Sequence, residues 1–208
     1  MGIVSVSDLD RLFWAGRYCE RALSLYERFI ALPRNAGVRR DFARNLGIMC
    51  DIALPETAIL GREGAVFSAL ESWRANAAQL RHILGTRAVM QAEEALADAE
   101  CGSFDLLAVR CYAFFGMTSD RLSDVTARTC VEAGRMCEKL DVMSRLKEET
   151  YIMEDALERL LAAAGESEAV KRLVSKCAVE AVKSDLEAGD IEAVRMSTPY
   201  LRADEYYS

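Results

Sequence analysis

Arg17, Glu20 and Arg21 stand in the heptapeptide AGRYCER, and Arg135, Glu138 and Lys139 stand in a near copy, AGRMCEK. Residues three and four apart share one side of an α-helix, so each copy gathers two cations around one carboxylate. A guanidinium offers planar paired donors that suit a carboxylate or a phosphate, and a neighbouring glutamate can hold it in place. Two such clusters converging in one helical protein would bind an anionic group. The plainer reading is an ion pair on an amphipathic helix, worth a few tenths of a kcal/mol when exposed. Gly16 and Gly134 favour a role in packing. Glycine inside a helix costs about 0.5–1 kcal/mol relative to alanine, so its recurrence at the same motif position calls for a close neighbour.

Other chemistries are poorly served. His82 is the only histidine, so neither a histidine-rich metal centre nor a proton-relay triad has its parts, and a capping or surface role suits it near a helix end. There is no Glu-x-x-His pair for a carboxylate-bridged metal site, and Glu93, Glu94, Asp98 and Glu100 are spaced as a solvated helix face. No glycine-rich phosphate loop is present. No general base can be assigned, so catalytic residues stay unknown, and no cofactor or metal is expected. The seven cysteines are odd in number and lack C-x-x-C spacing. They read as small core residues of a protein kept in a reducing compartment, the cytoplasm. Asn76 suits either a ligand or a bridge between helices.

The elements that must position these residues read as helices throughout. The chain has 208 residues with only 3 Pro, and Ala, Leu, Glu and Arg dominate. In the first helix Leu9, Leu12, Gly16, Cys19, Leu23, Tyr26 and Ile30 recur at steps of three and four, one stripe facing a core. "SDLD" places a cap at Ser7, and Pro33, Asn35 and Gly37 end the helix. A second helix is expected over about 38–51, then a loop through "ETAILGREGAV". Further helices follow over about 65–84, 86–99 and 104–115, the last ended by Gly116. Thr118 or Ser119 then caps a long helix to Leu146 that carries the second heptapeptide. Whether it continues into 148–165 is open. Ser167 caps a last helix to Ala188, and "STPYLRADEYYS" is expected to be irregular. The expectation is an all-α bundle of six to eight helices with an internally duplicated helical unit: one domain over 1–190 and a polar, aromatic tail over 191–208.

The net charge of −7 leaves no basic stripe for nucleic acid. Of 26 basic residues 21 are Arg, a bias shared by anion-binding sites and by GC-rich coding. No apolar run is long enough to cross a membrane, and the opening residues lack the layout of a signal peptide.

"RLFWAGRYCERA" resembles the opening signature of the bacterial alpha-E domain family through Phe13, Trp14, Gly16, Arg17, Glu20, Arg21 and Ala22. "SWRANAAQLRHIL" is similar to that family's middle segment through Arg74, Asn76, Ala77 and Arg81. "VEAGRMCEKLD" is similar to its second Gly-Arg-x-x-Glu-Arg element through Gly134, Arg135, Glu138 and Asp141, with Lys139 in place of Arg. Leu23 stands where the family has an acidic residue. The resemblance implies an all-α protein that works beside an ATP-grasp ligase or a transglutaminase-like protein in peptide or amide-bond synthesis or modification. The site it implies is an anionic-group pocket built from Arg17, Glu20, Arg21, Arg74, Asn76, Arg81, Arg135, Glu138, Lys139 and Asp141. The alternative is a non-catalytic scaffold or interaction module in which these charges are structural ion pairs. Either reading allows a homo-oligomer.

Overall fold

The structure, a computed structural model, describes residues 4–50 and 54–202. It is all-α. Among the described residues there are eleven α-helices and one 3-10 turn, and the β component is a single bridge between Val174 and Arg202. Eight of the helices have ten residues or more, and three are short.

The longest, α1 (Val6–Ala31), begins at a capping box two residues before the expected one. The Asp8 amide donates to Ser5 Oγ, and the Ser5 amide donates to Asp8 Oδ2. Ser5-x-x-Asp8 repeats the spacing of Ser7-x-x-Asp10 and satisfies the helix's first free amides one half-turn sooner. The helix α2 (Ala36–Asn45) is capped by Asn35 and stops well short of the expected end, because Gly47 turns the chain at φ 73°. Residue 51 of that expectation lies outside the described residues. The expected loop contains a short helix, α3 (Pro55–Leu60), which Pro55 opens from the first turn, where its missing N–H is harmless. The helix α4 (Ala65–Gln79) breaks at Leu80, and α5 (Arg81–Glu100) carries a second break at Gly85, φ 75°, where the sequence suggested one.

Gly116 does not end its helix. It lies inside α6 (Leu107–Arg121), and Asp124 rather than Thr118 or Ser119 caps α7 (Val125–Leu146). Lys147 then adopts the left-handed conformation, φ 55°, so 148–165 is not a continuation but a new helix, α8 (Thr150–Glu166). The expected last helix is two: α9 (Glu168–Leu173), capped by Ser167, and α10 (Lys176–Glu187), capped by Ser175. The tail expected over 191–208 opens on a helix, α11 (Ile191–Ser197), and the segment expected to be irregular begins with a 3-10 turn over Thr198–Tyr200; its residues 203–208 lie outside the described residues.

The chain forms two compact units. Unit 1 comprises 1–17 and 122–208, and unit 2 comprises 18–121, so α1 passes from one to the other between Arg17 and Tyr18. In unit 1, α7 lies along α8, with α9, α10 and α11 around them. Met136, Leu140, Met143, Met153 and Leu160 are fully buried there. In unit 2, α4, α5 and α6 pack in sequence. Trp73 meets Phe114 edge-on at 5.2 Å between ring centres, and Phe29 of α1 meets Phe42 of α2 at 5.9 Å. Among the described residues no helix is long and apolar enough to cross a membrane.

Candidate functional site

Unit 1 brings the two heptapeptides' glycines into one helix crossing. A Cβ added to Gly16 would lie 2.1 Å from the Val131 carbonyl oxygen, and one added to Gly134 would lie 1.9 Å from that of Phe13. Phe13 precedes Gly16 by three residues, as Val131 precedes Gly134. The contact is therefore reciprocal, each glycine seating the backbone just ahead of the other copy. No other residue type permits that approach without moving a backbone.

The crossing carries a buried charge pair. Arg17 Nε donates to Glu138 Oε2 at 2.7 Å, with the two side chains 9% and 0% exposed. Burial works against the Arg17 charge. Burial is the largest single influence, but the carboxylate of Glu138, with Cys137 and Asp141, together outweighs it and holds the guanidinium protonated above its ordinary range. The Arg17 guanidinium also lies 5.4 Å from the centre of the Trp14 ring. A second guanidinium, from Arg202, lies 4.7 Å from the same ring, and Arg202 Nη2 donates to Asp10 Oδ1 at 2.6 Å. Arginine beside the π-face of tryptophan is an attractive placement for both.

Asp141 follows Glu138 by three residues and sits one turn along the same helix. It is 4% exposed, accepts from Arg145 Nε at 3.0 Å and receives the Thr198 hydroxyl at 3.3 Å. The site therefore draws on the first half of α1, on α7 and on the turn after α11. The sequence offered no signal for Arg202 or Thr198, which are 192 and 57 residues from Asp10 and Asp141, the side chains they contact.

The remaining charges of the second copy are less buried. Arg135 lies 3.8 Å from Glu132 on its own helix, and Glu132 also takes Arg159 of α8. Lys139 is partly exposed. Beyond Arg17, the rest of the first copy belongs to unit 2. Glu20 is 4% exposed and accepts from Ser24 Oγ at 2.7 Å, and Arg21 is half-buried. The middle segment is also in unit 2. Arg74 is exposed. Asn76 is half-buried, and its Nδ2 donates to the Ser72 carbonyl in its own helix at 2.8 Å. Arg81 pairs with Glu93 at 2.7 Å on the surface. Two surface hollows in unit 2, one beside Arg40 and Arg44 and one beside Arg62, Glu71 and Glu100, are lined by none of these residues.

Five cysteines are buried as expected, whereas Cys101 and Cys177 are exposed, each at a helix end where the apolar stripe no longer shields it. Burial pushes the Cys137 and Cys130 thiols up to about 12, which removes both as nucleophiles. Among the described residues no group of three or more His, Cys, Asp or Glu is placed to hold a metal ion.

A family model described as a predicted alpha-helical domain with a conserved ER motif matches residues 55–192, well over half of the chain. The match includes the second heptapeptide and the middle segment and begins after the first heptapeptide. No curated protein and no solved structure matches.

Proposed function

The chain belongs to the Alpha-E family, and from that premise we propose that it is a non-catalytic helical interaction module serving a partner enzyme. The resemblance points to an ATP-grasp ligase or transglutaminase-like partner engaged in peptide or amide-bond synthesis or modification. One observation carries the module reading: the motif's Arg17 and Glu138 pair with each other, 2.7 Å apart and out of solvent. A buried pair of this kind can fix the register of two helices. The competing role, gripping an anionic substrate group, would need that guanidinium open to a ligand.

The test separates the two roles. Removing one partner of the pair, as Arg17→Ala or Glu138→Ala, leaves a buried charge alone and costs about 3–5 kcal/mol of stability. Replacing both, as Arg17→Met with Glu138→Leu, restores most of it, because apolar groups of similar volume often match a buried pair. Urea unfolding reads the stabilities, and binding to purified candidate ligase and transglutaminase-like proteins reads the function. A double variant that recovers both stability and partner binding supports the module. A double variant that recovers stability alone, in a protein whose wild-type form is also stabilised by amino acids or peptides in a thermal-shift screen, would make the pair a ligand site instead.

A further inference from the structure

The helix α8 has two faces of opposite character. Met153, Ala156, Leu157, Leu160 and Ala163 are buried in unit 1. At 100° per residue the other side gathers Tyr151, Glu154, Asp155, Glu158 and Leu161 within about a third of the helix circumference. All five are exposed, Tyr151 at 66% and Leu161 at 43%. Two apolar side chains therefore bracket three carboxylates on a stripe about 15 Å long.

Several carboxylates around this stripe are paired with a base, although among the described residues Asp124, Glu149, Asp185 and Asp190 are not. Glu166, Glu168, Glu180, Glu187 and Glu192 of the same unit each lie within ion-pairing distance of a base. Among the described residues Glu154, Asp155 and Glu158 have no such pair. The adjacent base, Arg159, turns to Glu132, and Lys147 at the head of the helix acts on Glu192. Glu154 and Glu158 are four apart and repel each other, an arrangement that weakens the helix carrying it. A helix that keeps like charges together, unneutralised and framed by exposed tyrosine and leucine, is complementary to a basic surface with apolar ends.

We propose that the outer face of α8 is a docking surface for a basic protein segment, a lysine- or arginine-bearing helix with an apolar residue at each end of its charged row. This names the partner chemistry for the interaction module and rests on that reading. Opposite charge steers the encounter, and Tyr151 and Leu161 supply the desolvated anchors.

The probe is a synthetic helical peptide with lysines along one face and leucine at each end of that face, followed by fluorescence anisotropy. Its mate carries glutamate in place of lysine. The lysine peptide binds the wild-type chain, the glutamate peptide does not, and raising the salt severalfold weakens binding by about tenfold. Neutralising the stripe with E154Q, D155N and E158Q together weakens binding by a similar factor, and Tyr151→Ala weakens it separately. Neutralising Glu180 and Glu187 on α10 as glutamines leaves it unchanged. All these positions are exposed, so circular dichroism confirms that each variant folds. No binding at low salt, equal binding to the stripe variant, or equal weakening in the α10 variant overturns the proposal. The purified partner enzyme provides the second arm. If it binds wild-type and stripe variant alike, the α8 assignment falls and the module stands; if it ignores both, the module reading falls too.

Discussion

Gly134 and Gly16 show how much can depend on a missing side chain. Gly134→Ala would push a methyl group to 1.9 Å from a carbonyl oxygen of the facing helix. The backbone must retreat, and we expect a loss of about 3 kcal/mol or more, at the upper end for an overpacked core, measured by urea unfolding. Gly116→Ala is the control: nothing lies within 4 Å of its added Cβ, so the higher helix propensity of alanine makes it neutral or slightly stabilising. The sequence disclosed the reason for the motif glycines because recurrence at one motif position marks a packing need. It did not disclose that Arg17 is buried. Helix spacing put Arg17 in a charged cluster, and the carboxylate arriving from 121 residues away makes an interior position tolerable. The buried thiols add a pH dependence. Cys130 and Cys137 rise from 9.0 to about 12 in the folded chain, so between those values the unfolded state releases protons that the folded state keeps. The unfolded state then binds fewer protons, and stability falls as pH rises from about 9 towards 12. Denaturation midpoints at pH 8, 9.5 and 10.5 under reducing conditions should decline, and less steeply in a Cys130→Ala, Cys137→Ala double variant.

Helix existence was legible at the scale of elements, and helix ends were less so. Stripes of three and four survive any choice of cap, which is why α1, α4 and α7 lie where expected. Ends are decided by competition among several acceptable caps, and Ser5 over Ser7, Asp124 over Thr118 and Ser175 inside a supposedly continuous helix all won such contests. The junction between α7 and α8 is the informative case. Lys147 occupies the left-handed region at φ 55°, where a side chain with a Cβ is strained and glycine is at ease. Lys147→Gly should therefore stabilise the chain by about 0.5–1 kcal/mol and raise its melting temperature by a few degrees.

At the scale of the whole molecule, the last described residues belong to unit 1 as firmly as its core does. Leu201 is fully buried, its carbonyl accepts from the Ser175 amide at 2.8 Å, and Arg202 reaches Asp10 and Trp14. Leu201→Ala should cost about 2–5 kcal/mol in denaturant unfolding, the loss typical of a core leucine, although hydropathy gives the surrounding segment no such weight. Composition fixed the all-α class, since few breakers and abundant helix formers leave little else. The way Asp10, Arg17, Glu138, Asp141 and Arg202 assemble was beyond it, because those pairings depend on tertiary geometry rather than on local spacing.

Unit 1 is discontinuous along the chain, and this gives it a birth order. Its first seventeen residues leave the ribosome long before the rest, and Glu138 follows Arg17 by 121 residues. At about 5–20 residues per second that is a wait on the order of ten seconds. During it Gly16 has no carbonyl to seat and Arg17 no carboxylate to meet, while all of residues 18–121 emerges. Every residue of unit 2 has been made before α7 begins; unit 1 closes only when α7 brings the second heptapeptide to the first.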